Sequence, residues 1–185
     1  MVMPKLKDYL ISFMGLKLGK HQFDYQIDKE FFNLFDYDEF QSISVQCRVE
    51  LNKKENMLEL TLHHEGNVLV NCDLTNEEFD QPIQGDLQVV VKFGEEYNDD
   101  HDEILILPHG EHQVSVAQYI YEAILLSIPQ KRVHPGVADG TLESKALDYL
   151  DNQENNEEEQ EQSEDDKESE TDPRWDKLKQ LLTDK

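Results

Sequence analysis

Ile43-Ser44-Val45-Gln46-Cys47-Arg48-Val49-Glu50-Leu51 alternates apolar and polar residues without a break. Successive side chains of a strand point to opposite faces, so this period of two puts the apolar set on one face and leaves the other to water. A strand apolar on one side only belongs to an antiparallel sheet with one solvated face. Downstream, Lys53-Lys54-Glu55-Asn56 has turn chemistry, and Leu58, Leu60 and Leu62 resume the alternation. Gly66-Asn67 leads to a further run through Val68, Val70 and Cys72, and Leu87, Val89, Val91 and Phe93 mark another strand. Ile104 to Leu107 reads as a short edge strand. Upstream, Leu10 to Leu18 and His21 to Ile27 flank Gly19-Lys20, which predicts a hairpin. Asp28 to Phe35 has no strict period and is expected to tuck its aromatic rings over a sheet edge.

One helix is specified inside this body. Ser115 and Gln118 have the spacing of a capping box, with Val114 and Tyr119 placed for a hydrophobic staple. Val116, Ala117, Ile120, Tyr121, Ile124, Leu125 and Ile128 form a wide apolar face, and Pro129 ends it. Laid on the apolar side of the sheet, this helix closes an α+β core over residues 1–136. Alternation alone does not decide between an open antiparallel sheet and a partly closed barrel. Residues 137–150 form a connector, where Leu142, Ala146, Leu147 and Leu150 suit a weak amphipathic helix.

From Asp151 to Asp172 there are twelve acidic residues and one lysine, a net −11 that leaves −13 of the chain's −24 for the rest. With almost nothing apolar to bury, 151–171 reads as a disordered, self-repelling linker. Extended by like charge, it would carry the C-terminal residues tens of ångströms from the body. Those residues, 172–185, read as a docking helix. Asp172 is a good N-cap and Pro173 suits the first helical position, with Arg174 next. Trp175, the only tryptophan, shares one face with Leu178, Leu181 and Leu182. A helix this short is marginal alone in water, so a receiving surface is implied, in the body or in a partner.

The acidic balance disfavours direct, non-specific nucleic-acid binding, which depends on Lys and Arg displacing counterions. It favours a basic protein partner and speeds that encounter. Lys5, Lys7, Lys17 and Lys20, with Lys131-Arg132, are the local basic patches on which a rival RNA-binding reading rests. With two cysteines and no disulfide framework, a reducing, cytoplasmic setting is expected. No run is long and apolar enough to span a membrane, and Asp8 breaks the apolar N-terminal patch that otherwise has the look of a short signal peptide.

No catalytic, cofactor or metal site is expected. His63 and His64 point to opposite faces, and His109 and His112 have loop spacing without the Cys or carboxylate partners of a zinc site. These histidines read as surface or loop residues. Cys47 and Cys72 fall on the inward face as small buried hydrophobes. There is no nucleophile elbow and no phosphate-cradling Gly-rich loop.

Gly15 to Phe23, Asp28 to Phe32, Gly66 to Asp73, Val91 to Gly94 and above all Ile120 to Pro135 resemble the YceD family, in its Bacteroidetes form. The family's helix with a buried-side Glu, a Leu-x-x-Pro step and a histidine maps to Glu122, Leu126, Pro129 and His134, with Arg132 between, and Asp172-Pro-Arg-Trp175 is similar to the end of the same members. Many members carry Cys-x-x-Cys where this chain reads Cys72-Asp-Leu-Thr75, so a metal or redox role for that pair does not carry over. The resemblance implies a non-enzymatic role in accumulation of large-subunit ribosomal RNA, beside a small basic ribosomal protein whose gene is a common neighbour. Combined with the charge, it points to an assembly factor that holds a basic ribosomal protein or pre-ribosomal particle. RNA would then be affected indirectly.

Overall fold

The computed structural model describes residues 5–101 and 103–142. In chain order its elements are β1 (Leu10–Ser12), β2 (Gly19–Ile27), α1 (Lys29–Phe32), β3 (Ser42–Lys53), β4 (Met57–Asn71), β5 (Glu78–Gly94), β6 (Asn98–His101), β7 (Ile104–Pro108), β8 (Gln113–Ser115), α2 (Ala117–Ser127) and α3 (Pro135–Ala138). The chain divides into two units, Met1–Pro135 and Gly136–Lys185.

In the first unit, β2, β3, β4 and β5 form an antiparallel meander, extended by β7 and then β6 into a six-stranded sheet. The alternating run becomes β3, and its inward residues Val45, Cys47, Val49 and Leu51 are buried, as are Leu62 and Leu60 opposite Val49 and Leu51 on β4, and Leu58 two residues before Leu60. Fully burying one such aliphatic side chain stabilises by about 1.5–3 kcal/mol, which makes this face the main source of cohesion. Ile120 and Ile124 of α2 are fully buried, and the helix packs on β5. At one end Asp28 caps α1 by accepting from the Phe31 N–H at 3.2 Å. This fixes a cluster in which Phe32 meets Phe40 edge-on at 5.1 Å and Phe35 stacks on Tyr121 of α2 at 4.4 Å.

Several expectations need correction. Leu10 to Leu18 does not form a hairpin with β2. β1 pairs instead with β8, Ile11 opposite Val114, and β2 pairs with β3 from Gly19↔Lys53 to Ile27↔Val45. The reason is tertiary: the Lys53 ammonium donates to the carbonyls of Phe13 and Leu16, both at 2.9 Å, and so holds the intervening segment as a bend. The capping box does not form either. Ser115 is held in β8 opposite Leu10, the N-cap falls on Val116 without a side-chain cap, and Gln118 donates to Glu122 at 2.9 Å. Gly66-Asn67 does not interrupt a strand; β4 runs unbroken for 15 residues and β5 for 17. Gly66 is required there for another reason, since a Cβ would lie 2.2 Å from the Ser44 carbonyl oxygen.

The sheet is mixed rather than antiparallel throughout, because β7 lies parallel to β5, Val90 opposite Ile104. It is open, with β2 and β6 at its two ends, and does not close into a barrel. Ile104–Pro108 is therefore interior, and the edge belongs to the polar Asn98–His101, which carries no apolar signal to read. Helix α2 ends before Pro129 as expected, with Ile128 extended at ψ 125° as the residue before a proline prefers.

The second unit is described over 136–142. There the short helix α3 gives way at Gly140, whose φ of 64° suits glycine, and its N–H donates back to the Val137 carbonyl at 3.4 Å. The expected acidic linker and docking helix, and most of the weak connector helix, lie outside the described residues.

Candidate functional site

Three of the singled-out residues, Cys72, Arg132 and His134, meet in space although some sixty positions separate them. β4 ends at Asn71, and the chain turns tightly before β5, with Asn76 in the left-handed region at φ 59° and its N–H donating to the Cys72 carbonyl at 2.8 Å. The segment that leaves α2 returns onto this turn. The Asp73 N–H donates to the Arg132 carbonyl at 2.8 Å, and the Arg132 N–H donates to the Asp73 carboxylate at 2.7 Å. The Arg132 guanidinium reaches the other carboxylate oxygen at 3.2 Å. Two residues on, the His134 N–H donates to the Cys72 sulfur at 3.3 Å, and its ring sits edge-on to Phe79 at 5.5 Å. Pro129 sets this path by stopping the helix. Glu122 takes no part: it is exposed on the solvent side of α2, which corrects the buried-side position implied by the resemblance.

The electrostatics arise from this wiring. Burial by itself pushes the Cys72 thiol up. Donors outweigh it: the His134 N–H, the Thr75 hydroxyl and the Leu74 and Thr75 N–H groups together bring the thiol down to about 7. Thr75 thus supplies a hydroxyl donor and an N–H donor to this sulfur. The Asp73 carboxyl is held below its ordinary value, chiefly by the Arg132 N–H. Among the described residues no group of three His, Cys, Asp or Glu side chains could hold a metal ion. Chemically the arrangement stabilises one buried thiolate and fastens the strap after α2 to the sheet. A groove of about 470 Å³ opens beside it, lined by Tyr37, Phe40 and Asn71 on one side and Leu125, Pro129 and Arg132 on the other. Asp73 completes the clamp, and only its adjacency to Cys72 hinted at this, because its partner is 59 positions away.

The anchor residues Asp172, Pro173, Arg174, Trp175, Leu178, Leu181 and Leu182 lie outside the described residues. A family model described as large ribosomal RNA subunit accumulation protein YceD matches residues 60–182. The chain belongs to the YceD family. No curated protein and no solved structure matches it. The YceD match spans β4, β5, the clamp, α2 and the terminal Asp172 to Leu182, while Gly15 to Phe23 and Asp28 to Phe32 fall before it. The clamp is therefore YceD sequence on both sides.

Four of the eleven lysines and arginines among the described residues of this YceD member are paired with its own carboxylates. Lys20 pairs with Glu50 at 2.7 Å, Arg48 with Asp24 at 3.0 Å, Arg132 with Asp73 at 3.2 Å, and Lys54 with Glu59. Of the histidines expected at the surface, His64 is buried at 5% exposure, and neither ring nitrogen has a hydrogen-bond partner among the described residues. Burial holds its pKa below the ordinary histidine value, against a smaller opposing pull from Asp86. The room for its ring comes from Gly85, where a Cβ would lie 2.8 Å from the imidazole. Among the described residues no helix is long and apolar enough to cross a membrane.

Proposed function

We propose that this chain is a non-enzymatic, cytoplasmic factor in large ribosomal subunit biogenesis. It supports accumulation of the large-subunit RNA by holding a basic ribosomal protein, or a pre-ribosomal particle, against its acidic surface. Membership of the YceD family carries the link to large-subunit RNA. The charge of −24 carries the mechanism, since a surface of that sign repels phosphate and attracts cationic protein. Commitment of Lys20 and Arg132 to carboxylates further favours protein over RNA. The terminal helix adds dwell time: Trp175, Leu178, Leu181 and Leu182 enter an apolar groove of the client, while ionic attraction sets the encounter rate.

The test is affinity capture from lysate, with and without nuclease, comparing the full chain with one ending at Glu170. Nuclease-resistant recovery of basic large-subunit proteins, lost on truncation, is the expected result. Recovery that vanishes with nuclease and ignores the truncation makes RNA the partner, through Lys5, Lys7, Lys17, Lys20, Lys131 and Arg132. In the same assay Trp175→Ala should weaken capture by about 2 kcal/mol, the scale of an interface hot spot. Unchanged affinity would remove the anchor.

A further inference from the structure

We infer that the groove crossing the solvent face of the β2–β5 meander seats an extended Lys/Arg-rich segment of the client, an assignment that rests on the proposed binding of a basic client. The groove measures about 780 Å³ and spans all four strands. Strand register builds its walls. Asp24, Arg48, His63 and Asp86 stand side by side in one row, and Gln26, Gln46, Glu65 and Gln84 in a second row two residues along. The intervening row, Tyr25, Cys47, His64 and Gly85, turns toward the core, so its backbone forms the floor. Four strands spaced ~4.8 Å apart give a trough ~15–19 Å long, which takes about five residues of extended chain at ~3.3 Å each.

The lining selects the occupant. Asp24, Glu65 and Asp86 face a single guanidinium, that of Arg48, so the groove attracts cations and repels phosphate. Arg48 is spent on Asp24 at 3.0 Å, and Asp86 is in contact with the His63 ring, which leaves Glu65 to receive a charge. Gln26, Gln46 and Gln84 each donate and accept, as the backbone of an extended segment requires. Tyr25 has its ring stacked on Tyr9 at 5.3 Å, and the exposed His63 ring is held by Asp86, whose carboxylate repels the phosphates that a stacked base would bring with it. A cationic peptide fits this lining and a single-stranded RNA does not.

The test uses the full chain, an unlabelled octapeptide of alternating lysine and arginine, and amide chemical shifts read residue by residue. Shifts should cluster on Gln46, Glu65 and Gln84. The exposed double substitution Glu65→Gln/Asp86→Asn should weaken binding about tenfold, the effect of losing charge complementarity at a contact. Gln46→Trp, which fills the trough without changing charge, should weaken it as well, with circular dichroism confirming that both variants fold. Peptide shifts confined to the acidic stretch 151–172, with both variants binding as wild type, would overturn the groove and leave the basic-client reading intact. Absence of peptide binding anywhere, with shifts produced instead by a large-subunit RNA fragment, would overturn both.

Discussion

The two cysteines are each 2% exposed, yet their thiols are driven in opposite directions. Cys47 lies in the middle of β3, where burial pushes its thiol up to about 12. Cys72 lies one residue beyond β4, and its thiol comes down to about 7. Cys47 sits deeper among packed atoms, and only Cys72 has a supply of donors. In the middle of a sheet the ladder takes up the backbone N–H groups, so a sulfur there has no backbone donor to receive. Where the ladder stops, the N–H groups of Leu74, Thr75 and His134 are left without strand partners and turn toward sulfur. The sheet centre is stabilised by exclusion of polar groups, and the clamp by their convergence.

This contrast can be broken at either end. The largest effect belongs to the sheet centre: Gly66→Ala places a methyl against the Ser44 carbonyl and should cost about 3 kcal/mol or more in urea unfolding, as overpacking against backbone does. Next comes a matched pair. Cys47→Ser buries a hydroxyl where no backbone N–H is free to meet it and should cost about 2 kcal/mol, whereas Cys72→Ser keeps an acceptor for the same donors and should cost less than about 1 kcal/mol. Equal costs would erase the distinction.

The thiols also differ in pH response. Because the Cys72 pKa is lowered from 9 to about 7 on folding, the unfolded chain binds the extra proton between those values. Stability should therefore rise between about pH 7 and 9, and Cys72→Ser should flatten that rise. Ultraviolet thiolate absorbance of the folded protein should show one group titrating in that window and the other silent. A smaller effect is expected at the clamp itself, where Asp73→Ala removes the acceptor for the Arg132 N–H and guanidinium and should lower the urea midpoint only slightly.

The smallest effect concerns His64. Its pKa is lowered, so below about pH 6.5 the unfolded chain takes up a proton that the buried ring resists, and stability falls as pH drops. His64→Leu should make the fall in stability between pH 7 and 5 shallower than in the wild type. An unaltered acid slope would mean that the ring is protonated in place.

The sequence by itself determined the strands with one dry face. Val45, Val49, Leu60, Val89 and Val91 are all buried as their period of two requires, and Ile120 and Ile124 as their helical spacing requires. Such patterns are local, because side-chain direction is set by neighbouring residues on one element. The motif residues were legible as a group only through family resemblance; nothing in their spacing foretold that Cys72 and His134 touch. The tertiary structure alone decided that β1 pairs with β8, that β7 enters the sheet parallel, and that Ser115 serves a strand rather than a helix cap. It also decided that Asp73 and Arg132 close a clamp and that two polar rows line a groove. Each of these depends on partners distant in sequence, whose combined hydrogen bonds and burial outweigh the few tenths to about 2 kcal/mol that a local cap or turn preference contributes.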